Sequence, residues 1–132
     1  MINGIGHIGI VVAELEKAIN EFSKAFCLPK PEIIISQEMK KRVAFFTFVN
    51  GTSLELIQDF DETGPMRKQH EEKGDFIHHF SVCSDDIQSD IDAMKGRGIA
   101  FQDQTPRQGV RGKQIAFTAG EVFGGVRCEL SE

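Results

Sequence analysis

The chain writes one pattern twice. Gly6-His7-Ile8-Gly9-Ile10-Val11-Val12 opens its first half, and Phe76-Ile77-His78-His79-Phe80-Ser81-Val82-Cys83 opens its second. Each segment sets a histidine at the head of a short apolar run. Each half then closes on a glutamate, in Ser53-Leu54-Glu55-Leu56-Ile57 and in Arg127-Cys128-Glu129-Leu130-Ser131. His7 and Glu55 stand 48 residues apart, His79 and Glu129 stand 50 apart. A His and a Glu repeated at nearly constant separation point to a duplicated unit built around one shared site.

The segments between these anchors repeat as well. Residues 5–12 read as a strand, with His7, Gly9 and Val11 on one face and Ile8, Ile10 and Val12 on the other. The second face is continuously apolar and is expected to carry a helix. Residues 14–26 supply that helix through the stripe Leu15, Ala18, Ile19, Phe22 and Phe26, ended by Pro29 and Pro31. Residues 32–36 and 43–49 read as strands, Asn50-Gly51 marks a hairpin turn, and residues 52–58 return as the strand carrying Glu55. In the second half, residues 76–83 form a strand with His79, Ser81 and Cys83 on one face and His78 on the other. Ser84 or Asp85 is expected to cap a helix over 86–96 with the stripe Ile87, Ile91 and Met94, and Gly96 and Gly98 stop it. Residues 99–102, 114–118 and 126–130 read as strands, 105–113 as a basic loop and 119–125 as a turn.

The order is thus βαβββ twice, an α+β plan. It predicts a single domain over 1–132, made of modules at about 1–60 and 75–132. A charged link over 59–75 joins them, with a short helix over 66–73.

Composition narrows the function. A net charge of −5 argues against a general nucleic-acid binder. No apolar run approaches the roughly 20 residues that span a bilayer, and the first residues lack a signal-peptide pattern. Three cysteines with no CxxC spacing read as reduced thiols. Together these place the protein in the cytoplasm, with no membrane partner.

Two imidazoles and two carboxylates brought together by paired modules suit a divalent ion such as Mn, Co, Ni, Fe or Zn. The candidate ligands are His7, Glu55, His79 and Glu129. The absence of a thiolate cluster argues against a purely structural zinc site. Small neighbours, Gly9 beside His7 and Ser81 and Cys83 beside His79, leave space above both imidazoles. Arg107, Arg111 and Lys113, with Lys40-Lys41-Arg42, offer positive charge to an anionic small-molecule substrate.

This pattern resembles the vicinal oxygen chelate superfamily of glyoxalases, bleomycin-resistance proteins and extradiol dioxygenases. Within it the phrases Gly6-His7-Ile8-Gly9, Leu54-Glu55-Leu56, Ile77-His78-His79-Phe80, Asp85-Asp86-Ile87, Gly112-Lys113 and Gly124-Gly125-Val126 are similar to those of the methylmalonyl-CoA epimerases. The resemblance implies that the paired modules curve into a mixed-sheet cup, helices outside, around one metal held by His7, Glu55, His79 and Glu129. The cup is built within one chain or across a homodimer. It implies an epimerase or isomerase of a carbon acid such as a coenzyme A thioester, with Glu129 as the nearest candidate base and Glu38 as a second. A glyoxalase-like lyase, a metal-dependent thiol transferase and a metal-free drug-binding protein are the alternatives. Ala13-Glu14, Glu62 to Met66, Arg111 and Thr118-Ala119 depart from the epimerase pattern around the expected substrate pocket.

Overall fold

The computed structural model describes residues 1–132. Three α-helices and the eight strands of a mixed sheet make an α+β fold. The chain divides into two compact units, one of residues 8–78 and one of residues 1–7 with 79–132. The first strand, β1 (Ile2–Val11), supplies residues to both.

In the unit of residues 8–78, α1 (Leu15–Phe26) follows β1. Then come β2 (Ile34–Ser36), β3 (Lys41–Thr47), β4 (Ser53–Asp59) and α2 (Pro65–Lys73). The strand order is β2-β3-β4-β1. Antiparallel register sets Phe45 opposite Glu55 and Val43 opposite Ile57. One core forms where the α1 stripe meets the sheet: Val12, Leu15, Ala18, Ile19, Ala44, Phe46 and Leu56, with Ile10 packed against them. Leu56 thus faces the helix, and Glu55, one residue away, turns to the opposite face. The apolar face of β1 carries the helix as expected at Ile10 and Val12, whereas Ile8 is exposed.

Local chemistry explains the ends. Helix α1 stops at Cys27 in the left-handed region (φ 53°), whose N–H bonds back to Ser23 O. The prolines follow rather than cause that stop. The hairpin turn centres on Val49-Asn50, closed by Gly51 N–H to Phe48 O (2.9 Å), with Gly51 at φ 86°. This is a turn followed by a left-handed glycine, the commonest three-residue hairpin loop. Helix α2 starts with Pro at its first turn, where no N–H is needed.

In the other unit, β5 (Phe76–Ser84) leads to α3 (Ile87–Gly96), β6 (Arg107–Gln108), β7 (Gln114–Phe117) and β8 (Arg127–Ser131). Residues 76–78 of β5 belong to the unit of residues 8–78. The order is β1-β5-β8-β7-β6, with β5 and β8 parallel and the β8–β7 and β7–β6 pairs antiparallel. Its core is Ile87, Ile91, Phe101, Ala116, Cys128 and Leu130, joined by Phe80, Val82, Met94 and Ile99.

Two details differ from the sequence reading, the stretch over 99–102 and the cap of α3. The expected strand over 99–102 is a single bridge between Phe101 and Thr118, and the outer strand is β6, inside the expected basic loop. Lys95 ties this stretch down instead, donating to Gln104 O and Oε1 (both 3.0 Å). The cap of α3 is Asp86, accepting from Ser89 N (3.1 Å), while Ser84 bonds to Asp90 (2.6 Å) and Asp85 accepts from Asn3. The turn over 119–125 contains a 3-10 turn at Phe123–Gly125 with Gly124 and Gly125 at positive φ. Asp86→Ala is expected to cost about 1 kcal/mol of stability, read as a lowered thermal midpoint, whereas Asp85→Ala leaves it nearly unchanged.

Candidate metal centre

Strand alternation selects which side chains meet. On β5, Phe80 and Val82 turn to the α3 core, so His79 and Ser81 turn away from it. On β8, Cys128 and Leu130 enter the same core, and Glu129 turns to the face of His79. The parallel register sets Ser81 beside Glu129, and the antiparallel one sets Phe117 on the other side of Glu129. His7 reaches this face from β1.

The result is a compact donor set. His7 Nε2 and His79 Nε2 are 3.0 Å apart. His7 Nε2 lies 3.4 Å from Glu129 Oε1, and His79 Nε2 lies 4.0 Å from Glu129 Oε2. The three residues are 6%, 2% and 5% exposed respectively. The His79 ring meets His7 and Phe117 edge-on, with centroids 5.1 and 5.2 Å apart. Phe117 thus forms a hydrophobic wall beside one imidazole.

These residues fit a divalent cation. Imidazole nitrogen and carboxylate oxygen bind first-row ions at about 2.1 Å, which sets adjacent donors about 3 Å apart and opposite ones about 4.2 Å apart. The observed 3.0, 3.4 and 4.0 Å fall in that range. Burying a carboxylate is costly without a countercharge, and a cation between these donors supplies one. Two imidazoles and a carboxylate suit Zn, Co, Ni, Mn or Fe alike.

The remaining sequence candidates have definite places. Glu55 is buried on β4, in the unit of residues 8–78. Glu38 is exposed in the turn over 37–40. Arg107, Arg111 and Lys113 are exposed on or beside β6. The guanidinium of Arg107 lies over the Phe117 ring (5.7 Å), so it is one ring removed from His79. His78 is half-buried with its ring tilted against that of Phe76 (centroids 6.2 Å), and His70 pairs with Asp75 at 2.6 Å.

Two residues that the sequence reading passed over organise this edge. Asp103 accepts from Arg107 Nε (3.2 Å) and from Phe117 N (2.9 Å), fixing both at once. Phe117 itself is legible from the hairpin, since the residue paired with Glu129 on the neighbouring strand must share its face. Asp103 carries no such signal, because it sits in irregular backbone.

The cysteines stay apart from the donors' chemistry. Burial, and then the negative charge of Glu129, push the Cys128 thiol up to about 11. Cys27 is exposed and Cys83 half-buried. At pH 8 a thiol reagent is expected to modify Cys27 at once and Cys128 only after unfolding; equal rates for both would contradict the packing described for β8.

Residues 6–117 match the model of the glyoxalase/bleomycin resistance protein/dioxygenase superfamily. The chain is 31% identical over 130 residues to the uncharacterized protein YqjC of Bacillus subtilis, covering 98% of this chain and 92% of that one. It is 25% identical to human mitochondrial methylmalonyl-CoA epimerase, over 97% of this chain and 73% of the human protein. The crystal structure of methylmalonyl-CoA epimerase from Mycobacterium tuberculosis superposes with a TM-score of 0.92 at 23% identity, covering 99% of this chain and 88% of that one. No helix is long and apolar enough to cross a membrane. The doubled βαβββ plan, the buried His and Glu donors and the match over residues 6–117 lead to one assignment: the chain belongs to the glyoxalase/bleomycin resistance protein/dioxygenase superfamily.

Proposed function

We propose that the chain is a metal-dependent isomerase of a carbon acid, epimerising the α-carbon of an acyl thioester such as methylmalonyl-CoA. The observation that carries this reading is the buried cluster of His7, His79 and Glu129, whose ligand atoms all lie within 4.8 Å of one another. Kinship with methylmalonyl-CoA epimerase in sequence supports the choice of reaction.

In this reading His7, His79 and Glu129 would hold the ion. A bound divalent ion supplies Lewis-acid stabilisation to a carbonyl oxygen as negative charge develops on it. The chain's own groups do the rest. Epimerisation takes a proton from one face of the α-carbon and returns one to the other, so two proton carriers are needed. Glu129 is one candidate, with Oε1 toward His7 and Oε2 toward His79. Glu38, the poorer candidate, is exposed in the turn over 37–40. Phe117 keeps water from one side of His79. Arg107, Arg111 and Lys113 meet the anionic portion of the thioester. Reduced cysteines suit a cytoplasmic enzyme.

The test is incubation of metal-loaded protein with one stereoisomer of methylmalonyl-CoA in deuterated water. The expected result is inversion with deuterium at the α-carbon, lost in His79→Ala. No exchange by protein that retains its metal would overturn this reading. Turnover of a thiohemiacetal instead would establish the glyoxalase-like reaction.

A further inference from the structure

The strand that carries Glu129 carries a second functional side chain on the same face. Cys128 and Leu130 fill the α3 core, which leaves Arg127, Glu129 and Ser131 on the donor face. Arg127 stands one repeat before Glu129, about 7 Å along the strand, and is the register partner of His79. Its guanidinium is fixed, with Nη1 donating to Gln102 Oε1 at 2.7 Å. Gly120 lies beside it, where a Cβ would sit in ordinary van der Waals contact with Nη2 (3.5 Å).

What holds Arg127 differs from what holds its neighbour Arg107. Asp103 answers the charge of Arg107. Arg127 is held by a neutral amide and has no carboxylate within ion-pair distance. A half-buried, pre-positioned guanidinium without a countercharge is a receptor for a planar anion, which it binds through two parallel N–H donors. Its distance from Glu129 limits which anion it can take. A group held there lies within a few bonds of the reacting carbon, whereas the phosphates of a coenzyme A ester lie at the far end of a long pantetheine arm.

We propose that Arg127 is a specificity-determining residue that takes a free carboxylate of the substrate's acyl group, so that the site selects acyl thioesters of dicarboxylic acids over those of simple fatty acids. The inference rests on the isomerase reading for the position of the thioester. It adds the residue that tells a malonyl-type acyl group from an acetyl- or propionyl-type one.

The experiment compares malonyl-CoA, acetyl-CoA and free coenzyme A by calorimetric titration of the metal-loaded protein. The two thioesters differ by one carboxylate and share every phosphate. Wild-type protein is expected to bind malonyl-CoA at least about tenfold more tightly than acetyl-CoA, the scale of one charge-assisted bidentate contact. Arg127→Ala brings the two within about twofold, and Arg127→Lys, which keeps the charge, retains part of the preference. Thermal unfolding of both variants checks that the fold stands.

An unchanged ratio in Arg127→Ala overturns the proposal and assigns the preference to the metal. An equal loss for all three ligands also overturns it, because Arg127 then contacts phosphate. No binding of either thioester overturns both this inference and the isomerase reading. An Arg127-dependent preference without epimerisation of methylmalonyl-CoA sinks the reaction and keeps the recognition residue.

Discussion

His79→Ala is expected to release the divalent ion and to reduce α-proton exchange by about a thousandfold or more. His79 is central to the donor set: its Nε2 lies 3.0 Å from that of His7 and 4.0 Å from Glu129 Oε2, and its ring lies edge-on to Phe117. Removing the ring deletes one ligand and frees the Phe117 wall beside it. Histidine ligands are also what a borderline ion selects, so a carboxamide cannot replace the imidazole at full affinity. His79→Gln fills most of the volume and separates the two effects. It is expected to keep the thermal midpoint within a few degrees while losing most of the metal. A His79→Gln protein that binds metal and exchanges protons like the wild type would remove His79 from the centre.

The second large effect lies in the core. Ile91→Ala is expected to destabilise the protein by about 2–5 kcal/mol, the range for truncating a buried aliphatic side chain. That is a large part of the roughly 5–15 kcal/mol that holds a domain folded. Ile91 is 0% exposed and packs with Ile87, Phe101, Ala116, Cys128 and Leu130. It therefore clamps α3 onto the strand that carries Glu129, and its loss loosens a ligand as well as the fold. With no Trp or Tyr in the chain, far-ultraviolet circular dichroism is the suitable probe of urea unfolding. The midpoint should fall with the slope unchanged. A loss under about 1 kcal/mol would mean that the site collapses around the gap, contrary to its close packing.

Much of this architecture is legible in the sequence because alternation and helical stripes are local. The period of two on Phe80, Ser81 and Val82 assigns the faces of β5. The stripe Leu15, Ala18, Ile19 and Phe22 assigns the inner face of α1. The doubled His-to-Glu spacing singles out the residues that the structure gathers as His7, His79 and Glu129. What is not legible depends on competition between neighbours. Ser84, Asp85 and Asp86 are all competent caps, and only the entry of the chain into α3 decides for Asp86. Ile99 to Gln102 has strand composition. Two backbone hydrogen bonds, Gln102 N–H to Phe117 O and Ala119 N–H to Ala100 O, join it to residues 117–119, however, and they make a single bridge. Arg127 looks like a solvated strand end until the register sets it beside His79. Asp103 is recognisable only once its two partners are placed.

The direct test of the centre is calorimetric titration of chelator-stripped protein with Co(II), in the wild type and in His7→Ala. The structure predicts one ion per chain in the wild type and affinity at least a hundredfold weaker in the variant, whose donor set has lost one of its two imidazoles. Absence of binding in the wild type, or equal affinity in the two proteins, would contradict the assignment of His7, His79 and Glu129 as a metal centre.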